Sequence, residues 1–284
     1  MSLHDWAERI GKMSALDDVA RPATGAVKRV VGQGPVKDLL SGTLLGHPLH
    51  PLLTDIPIGS FTSAAVLDVL GGRRGEEAAD LLVALGLVSV LPTAAAGAAD
   101  WSDTYGAEQR VGVVHAAANL VGVGFYAASL VARRRGSRGL GKLLGLAGMT
   151  SMSVGGYLGG HLSFSQGVGV NHAFREHPPE DWAAVLSDAE LAEGKPVAVE
   201  VGGARVLLYR GRAGVFAIGA TCTHAGGPLE EGSVDEGACT VTCPWHQSVF
   251  RLADGSVVHG PATVPEAAYE TRVEAGRIEV RRRG

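Results

Sequence analysis

The stretch CTHAGGPLEEGSVDEGACTVTCPWH, residues 222–246, holds two cysteines and two histidines, in a chain of 284 residues with only three cysteines. Written as spacing it is C-x-H, eighteen residues, then C-x-x-H. Each pair joins one soft thiolate donor to one imidazole, and four such donors suit a zinc ion or an iron–sulfur cluster. Zinc modules usually pair cysteine with cysteine and histidine with histidine, commonly beside a helix. Here each pair is mixed, and glycine and proline cradle both.

The surroundings read as β structure. VAVEV (197–201), RVLLYR (205–210) and VFAIGA (215–220) are strand-like runs separated by GG and GRAG turns. Further strands are expected in SVDEGACTVTC, in SVFRLADGSVV, where Asp-Gly marks a hairpin, and in YETRVEAGRIEVRR, where the glycine of EAG marks another turn. Seven or eight short strands without a helical period predict a small antiparallel sandwich or barrel. A [2Fe–2S] centre with two cysteines on one iron and two histidines on the other matches the mixed pairs. Cys222 and Cys243 then face the inner iron, and His224 and His246 the outer one. Zinc stays open as the alternative.

CTHAGGPL, CPWHQSVF and the downstream GPA resemble the two ligand loops and the covering proline loop of the Rieske family, over about residues 182–282. The resemblance implies a Rieske-type [2Fe–2S] cofactor shielded by Gly260 and Pro261. Respiratory members carry an extra cysteine in each loop; Gly227 and Trp245 stand at those places, so no disulfide is expected. Ser248 matches a serine that bonds the cluster region, while Phe250 replaces a tyrosine. Fewer hydrogen bonds to sulfur imply a potential toward the low end of the Rieske range. Cys239 reads as a buried small residue on a strand.

The first half differs in texture. Residues 52–72, 78–100, 111–132 and 140–162 almost lack Lys and Arg, are rich in Gly, Ala, Ser and Thr, and each reach spanning length. Four transmembrane helices are expected, with a soluble Ala/Gly-rich bundle as the alternative. Pro57 and Pro92 fall inside two of them, where neighbouring helices can satisfy the freed carbonyls. The expected fold is an all-α four-helix transmembrane bundle followed by an all-β domain. Its expected layout is a polar N-terminal segment (1–45), the membrane domain (46–170), a linker (171–181) and the cluster domain (182–284). HPLHPLLTDIPIG (47–59) and GGHLSFSQGVGV resemble a family of four-helix bacterial membrane domains, over about residues 40–170.

Arg73, Arg74, Arg133, Arg134, Arg135, Arg138 and Lys142 fall in two loops on one side. The positive-inside rule puts those loops in the cytoplasm, and both termini with the cluster domain outside. RRRGSRGLGKLL loosely resembles a twin-arginine export signal. No cleavable signal peptide is expected in residues 1–45, and 6–31 reads either as an amphipathic surface helix or as a plain solvated helix. Alternating helices bring His47, His50, Asp55, Asp100, His115 and His161 to the terminal face, a candidate site for haem or a quinone.

A net charge of −4 gives no basic face for nucleic acid. No phosphate loop, dinucleotide fingerprint or nucleophile–histidine–acid set is present. The expected function is membrane-anchored one-electron transfer between a quinol, haem or protein donor and a protein acceptor. Alternatives are a redox sensor or a structural cluster module, and then a ferredoxin component or part of an oxygenase system. An oxygenase would need two histidines and a carboxylate for a second iron, and after His246 only His259 follows.

Overall fold

Seven α-helices precede ten β-strands among residues 2–283, which the computed structural model describes. The chain divides into two compact units. One comprises Met1–Val31 and Leu49–Val168; the other comprises Gly32–Pro48 and Gly169–Gly284.

In the helical unit, α1 (Leu3–Gly11) and α2 (Asp17–Val31) come first. The segment read as one surface helix is thus two, broken after Gly11. A capping box starts α1: the Asp5 amide donates to Ser2 Oγ and the Ser2 amide to Asp5 Oδ2. Four long helices follow: α4 (Leu49–Leu70), α5 (Glu76–Trp101), α6 (Gly106–Arg134) and α7 (Arg138–Phe164). The helix α3 (Pro35–Ser41) belongs to the other unit.

Three of the long helices, α4 to α6, are long and apolar enough to cross a membrane. The fourth expected span, α7, is long enough but less apolar, because glycines, hydroxyls, Arg138 and Lys142 dilute its leucines. Small residues set the packing. A Cβ on Gly122 would press on the Gly148 carbonyl, and one on Gly148 would meet the Gly122 carbonyl and the Tyr126 ring. The backbones of α6 and α7 therefore approach closely. Tyr126 in turn stacks on Phe61 of α4 at 3.7 Å between centroids. Pro57 leaves the Leu53 carbonyl without its helical donor. Thr93 of α5 supplies one, its Oγ1 lying 3.3 Å from that carbonyl.

At one end of this bundle an ionic node joins all four long helices. Arg133 pairs with Asp68 and Asp80, Arg138 with Asp80, and Lys142 donates to the Asp68 carbonyl. Part of the positive charge counted for the two basic loops is therefore spent inside the bundle.

The β unit holds three antiparallel sheets. The strand β1 (Ala183–Ser187) pairs with β10 (Arg277–Arg282), which pairs with β9 (Tyr269–Glu274). The strands β2 (Val197–Val201), β3 (Ala204–Gly211) and β4 (Gly214–Gly219) form a meander. The third sheet runs β5 (Ser233–Asp235), β6 (Thr240–Thr242), β7 (Val249–Arg251) and β8 (Val257–His259). SVDEGACTVTC is thus a hairpin rather than one strand. Cys239 lies in its turn at φ 55° and is half-buried, not a buried strand residue. One core contains Leu207, Ile218, Leu229, Val241, Phe250 and Leu252; another contains Val206, Leu208, Ile278 and Val280.

Arg133 is almost fully buried, so its removal leaves Asp68, beside Asp80, to the more distant Arg138 at 3.5 Å. Arg133→Met should cost about 3 kcal/mol and lower the unfolding temperature in detergent by several degrees. Adding Asp68→Asn should recover part of that loss.

Candidate functional site

Two tight loops carry the mixed pairs. In the first, after β4, the Cys222 amide donates to the Gly227 carbonyl and the Gly226 amide returns to the Cys222 carbonyl, both at 2.8 Å. Gly226 takes φ 79°, which favours glycine. In the second, between β6 and β7, the Cys243 amide donates to the Ser248 carbonyl at 2.8 Å. The loops meet at Gly227, where an added Cβ would stand 2.8 Å from Cys243 Sγ. That close approach excludes any larger residue.

The structure brings Cys222, His224, Cys243 and His246 together. Both cysteines are 1% exposed and free, and their thiols influence each other. The proximity of the two thiols raises Cys222 and lowers Cys243, and burial opposes charge on both. The His224 and His246 rings stand edge to face, 4.9 Å between centroids. Burial pushes the His224 imidazole down to about 3, and the charges of His246, Lys37 and His172 act the same way. A neutral ring keeps a lone pair for a metal. His224 Nδ1 is buried with no hydrogen-bond partner, a cost that a metal ion would remove. Two thiols and two imidazoles, one nitrogen orphaned, fit a mixed-ligand cluster.

A third loop, residues 260–266, is stitched to both. The Ala262 amide donates to Ser248 Oγ at 3.0 Å. Thr223 donates its hydroxyl to the Val264 carbonyl at 2.7 Å and its amide to Glu266 Oε1 at 2.8 Å. Burial pushes the Glu266 carboxyl up to about 8. Gly260, Pro261 and Phe250 are buried, while Trp245 is 54% exposed beside His246.

Sequence reasoning missed the rest of this site. The segment Gly32–Pro48 packs on the third loop. Asp38 accepts the Gly260 amide on Oδ1 at 2.7 Å, and its Oδ2 lies 2.9 Å from His259 Nδ1. Thr43 donates to the Ala262 carbonyl at 3.1 Å. A Cβ on Gly260 would run into Thr43 Oγ1. Lys37, only 2% exposed, places its charge near His224. The only trace in the sequence is a Lys-Asp pair in a short helix bounded by Gly34 and Gly42.

A family model described as Rieske [2Fe-2S] domain matches residues 181–272. Ferredoxin CarAc of Metapseudomonas resinovorans is 31% identical over 100 residues, covering 35% of this chain and 92% of that protein. The chain belongs to the Rieske [2Fe-2S] family. Its cofactor is a [2Fe-2S] cluster. Human Apoptosis-inducing factor 3 is 32% identical over 110 residues, 37% of this chain but 18% of that protein. The chain thus spans less than a fifth of that relative. Among solved structures, the ferredoxin of carbazole 1,9a-dioxygenase from Nocardioides aromaticivorans shares 28% identity, with TM-score 0.34 over 36% of this chain and 98% of that one. A second model, Predicted membrane protein (DUF2231), matches residues 46–172 and contains the three apolar helices.

The six residues expected at the terminal membrane face are divided between the two units. His47 belongs to the β unit and bonds the Pro48 carbonyl. In the helical unit His50 and His115 approach to 6.4 Å between centroids. Each turns Nδ1 to a backbone carbonyl, of Thr93 and of Gly155, and so presents Nε2 as its lone-pair nitrogen. Asp55 is exposed, Asp100 closes α5, and His161 lies instead beside His4 and Glu8.

Asp38→Ala should free the Gly260 amide from a charge-assisted bond. Its hydrogen exchange should speed up by roughly 10- to 100-fold, from a loss of about 1.5–3 kcal/mol. Mass spectrometry of the peptide around residues 256–266 checks this.

Proposed function

We propose that this chain is a membrane-anchored one-electron carrier in which Cys222 and Cys243 hold the inner iron and His224 and His246 the outer iron. The observation that carries the reading is the convergence of two buried free thiols with two facing imidazoles on paired loops. The cluster, when bound, takes up and gives back one electron. The chain's own residues do the rest: the loops fix the donors, residues 260–266 cover them, and Asp38 holds that cover down. Gly260 and Pro261 shield the cluster side, and the exposed Trp245 beside His246 marks the approach for a partner protein.

CarAc is a ferredoxin by name, and a protein acceptor of the same kind fits this chain. The donor is a quinol or haem at the His50–His115 pair, whose two Nε2 atoms are oriented for ligation or hydrogen bonding. We assign Gly32–Pro48 and the residues from Gly169 onward to the cluster domain, and place that domain outside the cytoplasm on the charges of Arg73, Arg74, Arg134 and Arg135. Labelling a cysteine engineered into the C-terminal domain of intact cells with an impermeant reagent tests the side; protection until lysis overturns it.

Electron paramagnetic resonance on the dithionite-reduced protein should give a rhombic signal with the low average g of mixed ligation. A silent sample containing zinc would remove the electron-carrier reading. Haem bands in the optical spectrum that vanish in His50→Ala and His115→Ala would identify the donor. The potential should lie toward the low end of about −150 to +300 mV. Ser248 already accepts the Ala262 amide and keeps its hydroxyl hydrogen for a sulfur. Ser248→Ala should therefore lower the potential and Phe250→Tyr raise it; opposite shifts by voltammetry count against this tuning.

A further inference from the structure

In the helical unit, His4 and Glu8 of α1 and His161 of α7 point their donor atoms at one another, all within 4.8 Å. His4 and Glu8 are four residues apart, so they share one face of α1. The capping box at Ser2 starts the helix just before His4 and fixes that face. The register against α7 is held by Ala7 and Ile10, packed with Val111 and Leu158.

His161 is the informative member. It is 5% exposed, and its Nε2 is buried without a hydrogen-bond partner. Glu8 Oε1 lies 3.4 Å away, outside hydrogen-bond geometry for the ring nitrogen. The His4 ring adds a second imidazole, 5.4 Å from His161 between centroids. Two ligands about 2.1 Å from a tetrahedral metal lie about 3.4 Å apart, so the Glu8–His161 spacing suits a shared ion better than a direct bond. His4 is exposed, and its side chain can rotate to close the remaining gap.

We propose that His4, Glu8 and His161 bind a divalent transition-metal ion of the zinc class. Two imidazoles and a carboxylate are donors for Zn²⁺ or Fe²⁺ rather than for Mg²⁺ or Ca²⁺. Three protein donors leave at least one coordination position for water or a small ligand. The site shares no residue with the cluster loops.

The test uses the full chain in detergent with its cluster loaded. Zinc is titrated, and the metal retained through gel filtration is counted by mass spectrometry. One saturable zinc per chain is expected in the wild type. Glu8→Gln and His4→Gln, both on the accessible side, should weaken it by more than about 100-fold, beyond the loss seen when outer-shell partners are removed. The paramagnetic resonance of the reduced cluster should be unchanged in both variants. No saturable zinc in the wild type, or unchanged binding in both variants, overturns the site. A missing cluster signal in the wild type counts against the electron-carrier reading, and the zinc lost in Glu8→Gln and His4→Gln relative to the wild type then decides this site by itself.

Discussion

Two thiols and two imidazoles held against one another, out of water, are the constraint on which the β unit is organised. Neither ligand loop has the length to hold such donors unaided. Each closes on itself by backbone bonds, and each is bonded again to the loop of residues 260–266, through Ser248 on one side and Thr223 on the other. That third loop is then pinned by Asp38 and Thr43. The chain of support runs from β strands to loops to cover, and every link is a polar group with a buried partner. Unmade, such bonds would each cost more than they contribute when made.

The helical unit answers a different constraint. Apolar helices gain little from burying apolar faces against one another in lipid, so close packing and polar contacts decide their arrangement. Gly122 and Gly148 allow the approach of α6 and α7, and Thr93 repairs the break that Pro57 makes in α4. Arg133 gathers the helix ends by bridging Asp68 and Asp80.

The meeting of Cys222, His224, Cys243 and His246 was legible because its information is local: residue type and short spacing point to it before any fold is known. The hairpins at Asp254-Gly255 and Ala275-Gly276 were legible for the same reason. The strand β1 was not, since its AAVLS has little β-branched character and its partner β10 lies some ninety residues on. Asp38 was out of reach altogether; its partners stand 221 and 222 positions away, and no periodicity announces a contact of that separation. His4 and Glu8 were hidden because their partner His161 lies more than 150 positions on, and nothing local marks that contact. The apolar pattern identified the long helices, but α7 shows that length and a glycine-rich face do not guarantee the hydropathy of its neighbours.

The interrupted course of the chain bears on how such a protein can be divided. Residues 32–48 lie between α2 and α4 in sequence, yet they form part of the β unit. A fragment cut at Gly169 would keep all four donors and still lose Lys37, Asp38 and Thr43. The two halves are therefore not interchangeable cassettes. A cluster unit moved to another setting without residues 32–48 would need its own substitute for that strap.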